Sequence, residues 1–329
     1  MSSRRKIPPS LVFGGVIGIA GLMFVGIKIN EQWTQVQDRV SNVNAGQLVV
    51  ALALALLGMI AIGLAWRPVL IALGAPEVNR RTVVRWYFVG EIGKYVPGGV
   101  WTVVGRAELA RRGGLARSSA YGSVALSLLC LQVGAACVAA AAIPFSGLAD
   151  GNAKVWLILL VVPFGLGVLH PKVAASFLHL VRKLTKREFT FEVPPFATTL
   201  RLVAGYVPAW IAIGLSTATV ARALDPHAPV GRVFAGTVVS WIVGFIFIPT
   251  PGGIGVRESA FTAIVALGPG IAVTTSLVAR LMFMLVDGAG AALAPLILRT
   301  RVGLSVQERS TPPTSQSASA SAEPTVDEL

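Results

Sequence analysis

The chain has 329 residues, of which 54% are hydrophobic and only 13% charged, with a formal net charge of +13. Its mean hydropathy is +0.72. Soluble domains carry roughly 25% charged residues, so a water-soluble fold is excluded. So is nucleic-acid binding, which needs a basic face on such a fold.

A membrane-spanning helix needs about 20 apolar residues. Residues 1–10 form a polar tip holding Arg4, Arg5 and Lys6. The first run is Leu11 to Ile29, which reads as a retained anchor because no small-residue cleavage site follows it. The next runs are Leu48 to Trp66, Ala120 to Ile143, Val155 to Leu169, Leu202 to Val220 and Val233 to Ile248. A short run, Ile254 to Leu267, precedes the last one, Ile271 to Leu298, which is interrupted by Arg280 and Asp287. Residues 11–300 are thus a helical membrane domain. Residues 301–329 are rich in Ser, Thr, Pro and acid, too polar to bury a core, and are expected to be disordered.

Lys and Arg concentrate at the N-terminal tip, from Arg67 to Arg117, from Lys172 to Arg201 and from Arg299 to Arg309. Basic residues collect in cytoplasmic loops, which places both termini in the cytoplasm.

The short run leaves two span counts open: eight crossings, or six crossings plus two re-entrant helical hairpins. Two related segments favour hairpins. Residues 91–108 read EIGKYVPGGVWTVVGRAE, and residues 248–258 read IPTPGGIGVRE. Each holds Pro-Gly-Gly, then a β-branched residue, then Arg close to Glu. Pro97 and Pro251 remove a backbone donor and clash with the preceding turn. Gly98, Gly99, Gly252 and Gly253 permit positive φ and close backbone approach. Such a break is tolerated at membrane depth only inside protein or beside a wet cavity. Three full spans lie between the two breaks, and an odd number inverts the second relative to the first. Inverted repeats with broken helices near the midplane are a common transporter plan. Two ordinary tight loops are the alternative.

Charges inside a bilayer are costly and mark function by default. Lys94, Arg106, Arg257, Glu258, Arg280 and Asp287 are therefore the candidate substrate-binding residues, with Glu91 and Glu108 beside the first break. Arg makes bidentate contacts to phosphate, so an anionic lipid headgroup is the expected ligand. A purely structural alternative pairs Arg257 with Glu258 and Arg280 with Asp287, and lets Arg106 snorkel to the interface.

No spacing marks a catalytic, metal or cofactor site. His170, His179 and His227 lack metal-ligand spacing, and no phosphate-binding loop or dinucleotide fingerprint occurs. Cys130 and Cys137 are seven apart on one helix, about 10 Å, too far to bridge. The expectation is no catalytic residue, no metal and no cofactor.

The stretches EIGKYVPGGVW with the following VGR, and PTPGGIGVRE, resemble the lysylphosphatidylglycerol synthase transmembrane-region family. The resemblance covers roughly residues 10 to 300. It implies an α-helical bundle with re-entrant elements that handles lipids in a bacterial plasma membrane, as in the flippase half of the multiple peptide resistance factor. Full-length synthases add a cytosolic aminoacyl-transferase domain. This sequence shows only a short polar tail there, so no aminoacyl transfer is expected. The reading is a lipid translocase for an anionic or aminoacylated phospholipid or a lipid-linked glycan. An intramembrane lipid-modifying enzyme and a scaffold beside a separate lipid-modifying enzyme are the alternatives. Partners are membrane lipids, together with either a second copy of the chain or such an enzyme.

Overall fold

The computed structural model describes residues 43–96, 100–148, 161–176, 179, 192–246, 255–265, 267 and 270–297. The chain divides into a compact unit, Met1–Arg299, and a second unit, Thr300–Leu329, which lies wholly outside the described residues. So do the first apolar run and both Pro-Gly-Gly triplets, Pro97, Gly98, Gly99 and Pro251, Gly252, Gly253.

All regular elements among the described residues are helical. In chain order they are α1 (Ala45–Ala72), α2 (Arg80–Glu91), a 3-10 turn (Ile92–Tyr95), α3 (Trp101–Arg112), α4 (Arg117–Ala142), a second 3-10 turn (Ile143–Phe145), α5 (Val161–Val168), α6 (Phe196–Leu224), α7 (Val230–Ile246), α8 (Val256–Val265) and α9 (Ile271–Ile297). Local sequence explains many of the ends. The Asn44 side chain accepts from Gln47 N–H, and Asn79 from Arg81 N–H, so each caps an exposed helix start. Gly74 and Gly114 follow α1 and α3 at φ +88° and +100°. Ala75 N–H bonds back to Leu70 O and Leu115 N–H to Ala110 O, a closure that needs a left-handed residue.

Among the described residues four helices, α1, α4, α6 and α9, are long and apolar enough to cross a membrane. Their outer faces confirm the solvent they require. α1 exposes Val49, Val50, Leu52, Leu56, Leu57, Leu64 and Ile71, and α9 exposes Leu281, Leu285, Leu293 and Leu296. Apolar surface on this scale is not left facing water. This is an integral membrane protein of the polytopic all-α class.

α1 and α6 share the most extensive helix–helix interface. With lipid as solvent, helices associate through close packing and buried hydrogen bonds, not hydrophobic burial. Small residues make this possible. A Cβ on Gly58 would lie 2.9 Å from Ile213 Cγ1 and 3.3 Å from Ala209 O. Ser216 Oγ donates to Ala51 O at 2.7 Å across the same seam. Against this seam α4 is tied by polar contacts: Trp66 Nε1 to Ser123 Oγ at 3.3 Å, Trp210 Nε1 to Leu131 O at 2.7 Å, and the Ser127–Tyr206 hydroxyl pair at 2.7 Å.

The element order repeats. A long helix (α1), a pair of shorter helices (α2, α3) and a long helix (α4) are followed later by α6, then α7 and α8, then α9. The chain distance from Pro97 to the start of α4 at Arg117 equals that from Pro251 to the start of α9 at Ile271. Helices α2, α3 and α8 have 12, 12 and 10 residues. At 1.5 Å per residue each is about 15–18 Å long, roughly half the hydrocarbon thickness.

Each short pair packs arm on arm through glycine. In the second, a Cβ on Gly236 would lie 2.3 Å from Val265 Cγ2, and one on Gly244 3.1 Å from Arg257 Cβ. In the first, Gly90 lies against Arg106, and a Cβ on Gly93 would lie 2.5 Å from both Thr102 N and Trp101 C. Backbone cannot yield as a flexible side chain can. Gly93→Ala is therefore expected to destabilise the protein by about 1–3 kcal/mol, the usual range for overpacking. Gly105→Ala meets nothing nearer than Gly90 Cα at 3.6 Å and is expected to be neutral. Thermal unfolding of the two variants in detergent checks the contrast; equal midpoints would remove the steric account.

Candidate functional site

Among the described residues two ionic clusters, each partly buried, lie against α9. The first gathers residues from three elements. Glu91 ends α2, Lys94 and Tyr95 lie in the following 3-10 turn, and Arg106 is on α3. Arg106 is 3% exposed and donates through Nη2 to Glu91 Oε1. Its guanidinium also sits over the Tyr87 ring, 4.4 Å from the centroid, and 5.9 Å from that of Trp66. Lys94 Nζ bridges two carboxylates, Glu91 Oε2 at 3.2 Å and Asp287 Oδ2 at 2.5 Å. Tyr95 donates its hydroxyl to the same Asp287 oxygen at 2.7 Å. Asp287 is fully buried, and its other oxygen has no partner among the described residues. Helix α9 can approach this closely because Gly290, one turn on, makes room for the Phe88 ring.

The second cluster forms where α8 begins. Glu258 reaches back to accept from Gly255 N–H at 2.7 Å, as a carboxylate three residues into a helix does in a capping box. Its second oxygen accepts from Arg280 Nη1 on α9. Arg257 makes a different contact. Its guanidinium carbon lies 3.8 Å above the Trp241 ring centroid on α7 and 5.7 Å from that of Phe283 on α9. Trp241 is held edge-on between Trp210 and Phe283, at 5.6 Å and 5.7 Å.

Arg280 and Asp287 are seven apart, two helical turns or about 10 Å on one face. That face joins the clusters: Arg280 meets the start of α8, and Asp287 the turn after α2. The pairings differ from those expected of a structural role. Glu258 is taken by Arg280, not Arg257, and Asp287 by Lys94 and Tyr95, not Arg280. Arg106 does not snorkel; it is buried beneath Glu91, Tyr87 and Trp66. Sequence spacing cannot choose among partners on different helices. Glu108, which parallels Glu258 in the motif, does not join the first cluster. It is bound by Arg111 at 2.7 Å and Arg112 at 3.3 Å on its own helix. Glu91, upstream of the Pro-Gly-Gly triplet, takes the central place.

Sequence reasoning passed over Tyr95, Tyr87, Trp241 and Phe283. Tyr95 had a usable signal, since it stands between Lys94 and the break. Trp241 and Phe283 had none, because they lie within apolar runs.

Formal charges differ between the clusters. Glu91, Lys94, Arg106 and Asp287 balance. Glu258, Arg280 and Arg257 leave one positive charge over. Arg257 has no hydrogen bond or ion pair among the described residues, and residues 247–254 contain no acid to supply one. Among the described residues no group of His, Cys, Asp and Glu is arranged to hold a metal ion.

Residues 11–291 match the model of the lysylphosphatidylglycerol synthase TM region. The chain belongs to this family. The match takes in every described helix up to the sixth turn of α9, and with it both clusters and both Pro-Gly-Gly motifs. No curated protein gives a match.

Proposed function

We propose that this family member is a lipid translocase whose substrate carries an anionic phosphate headgroup. The observation that carries the proposal is that Arg257 has no hydrogen bond or ion pair among the described residues. Arg257 is half-buried; a cation at membrane depth that no acid pairs is costly, and in a membrane protein such a residue marks a substrate path. A phosphate bound there removes the imbalance and takes up the free edge of the guanidinium fork. The start of α8 adds backbone N–H groups and a positive helix end, which favour the same ligand.

Lys94, Arg106, Glu258, Arg280 and Asp287 act around this contact. Glu258 and Arg280 hold the start of α8 against α9. Lys94 and Asp287 hold the first hairpin to the same helix. The two short-helix pairs then serve as re-entrant hairpins of an inverted repeat meeting near the midplane, and rocking of one repeat against the other exposes the site to either leaflet. The Lys and Arg distribution supports cytoplasmic termini, and a bacterial plasma membrane is the corresponding location.

The test is reconstitution. Purified protein in phosphatidylcholine vesicles should move fluorescent phosphatidylglycerol between leaflets faster than protein-free vesicles. Rates no higher than the protein-free control for phosphatidylglycerol and for other lipid phosphates would remove the proposal.

A further inference from the structure

Beneath Arg257 lies a second unused donor. Trp241 Nε1 is buried and has no hydrogen-bond partner among the described residues. The neighbouring indoles are not in this state: Trp66 donates to Ser123 and Trp210 to Leu131 O. A sealed N–H without an acceptor loses its hydration and regains nothing, and such a group in a native structure calls for a cause. Packing does not supply one. Edge-on contacts to Trp210 and Phe283 and the cation above the ring would be kept by a phenyl ring, which carries no donor to strand.

We propose that Trp241 Nε1–H is a ligand-binding donor of the Arg257 site, so that indole and guanidinium together take two oxygens of one lipid phosphate. The inference rests on the translocase reading and names a contact residue for it. Three neighbours orient the indole. Trp210, fixed by its bond to Leu131 O, supports one edge, Phe283 the other, and Arg257 covers the face. Four helices, α4, α6, α7 and α9, thereby set where the N–H points, and α8 brings the charge. The N–H is covered in this structure. The phosphate reaches it when the α7–α8 pair shifts, and its oxygen then supplies the acceptor that the described residues lack. Two donors from different helices select an anion with at least two exposed oxygens, as a phosphodiester has.

Trp241→Phe tests this while keeping the platform. In phosphatidylcholine nanodiscs, the variant should bind short-chain phosphatidylglycerol about tenfold more weakly than the unaltered protein, the effect of roughly one hydrogen bond to a charged group. Its thermal midpoint should be equal or higher. In protein labelled with nitrogen-15 at the indoles, the resonance missing from Trp241→Phe should move downfield as phosphatidylglycerol is added. The same movement with inorganic phosphate alone would keep the donor pair but assign it to free phosphate. Unaltered affinity in Trp241→Phe with an unmoved resonance, while Arg257→Ala loses binding, would overturn the inference and leave the translocase reading standing. Binding unaffected in Arg257→Ala as well would overturn both.

Discussion

Arg257→Ala is expected to slow translocation of phosphatidylglycerol by one to two orders of magnitude. A hydrogen bond to a charged partner contributes about 1.5–3 kcal/mol, and each 1.4 kcal/mol is tenfold. The fold should tolerate the change, because this guanidinium satisfies no carboxylate among the described residues and leaves none orphaned. Removing it takes away a half-buried charge together with its stacking on Trp241. The thermal midpoint should therefore shift little while transport falls. Arg257→Lys should restore only part of the rate. An ammonium keeps the charge but neither stacks flat on an indole nor grips phosphate with two parallel bonds. Dithionite quenching of labelled lipid in proteoliposomes reads all three proteins. Equal rates for Arg257→Ala and the unaltered protein would remove Arg257 from the site.

The opposite pattern is expected at Arg106. Arg106→Leu leaves Glu91, itself buried, with Lys94 as its only remaining cation among the described residues, and Lys94 is shared with Asp287. Breaking a buried pair by removing one partner costs about 3–5 kcal/mol. Arg106→Leu should thus lower folded yield and thermal midpoint sharply, with transport lost only in proportion to folded protein. Adding Glu91→Leu should recover much of the loss, because an apolar pair of similar volume often replaces a buried ion pair at little cost. A double-mutant cycle in detergent measures the coupling, expected to be at least about 1 kcal/mol and favourable. Additive losses would show that the two side chains do not depend on one another. Two arginines in similar motif positions are thus separated by experiment, Arg257 through transport and Arg106 through stability.

Much of the architecture was legible in the sequence because lipid imposes a blunt rule. Every spanning helix must satisfy its backbone internally and present apolar side chains outward. The runs Leu48 to Trp66, Ala120 to Ile143, Leu202 to Val220 and Ile271 to Leu298 accordingly fall within α1, α4, α6 and α9 or overlap them to within a residue or two. The short run from Ile254 became the ten-residue α8. Pro-Gly-Gly with nearby Arg and Glu identified the family and directed attention to Arg106, Arg257 and Glu258. Composition excluded a soluble fold without any structure.

Partner choice was not legible. Spacing along one chain shows that Arg280 and Asp287 share a face of α9, and nothing more. That Arg280 turns to Glu258 while Asp287 turns to Lys94 and Tyr95 depends on where α8 and the turn after α2 come to rest. Those positions follow from close packing at Gly90, Gly93 and Gly290 around α2 and its turn, and at Gly236 and Gly244 against α8, where the contacts are made by residues of other helices. Nor does any local pattern distinguish Trp241 from a lipid-facing tryptophan; only its place beneath Arg257 does so. Short-range rules of backbone and solvent set the helices and their membrane. Which cation among the described residues is left without an acid partner was decided only when α3, α8 and the turn after α2 converged on α9.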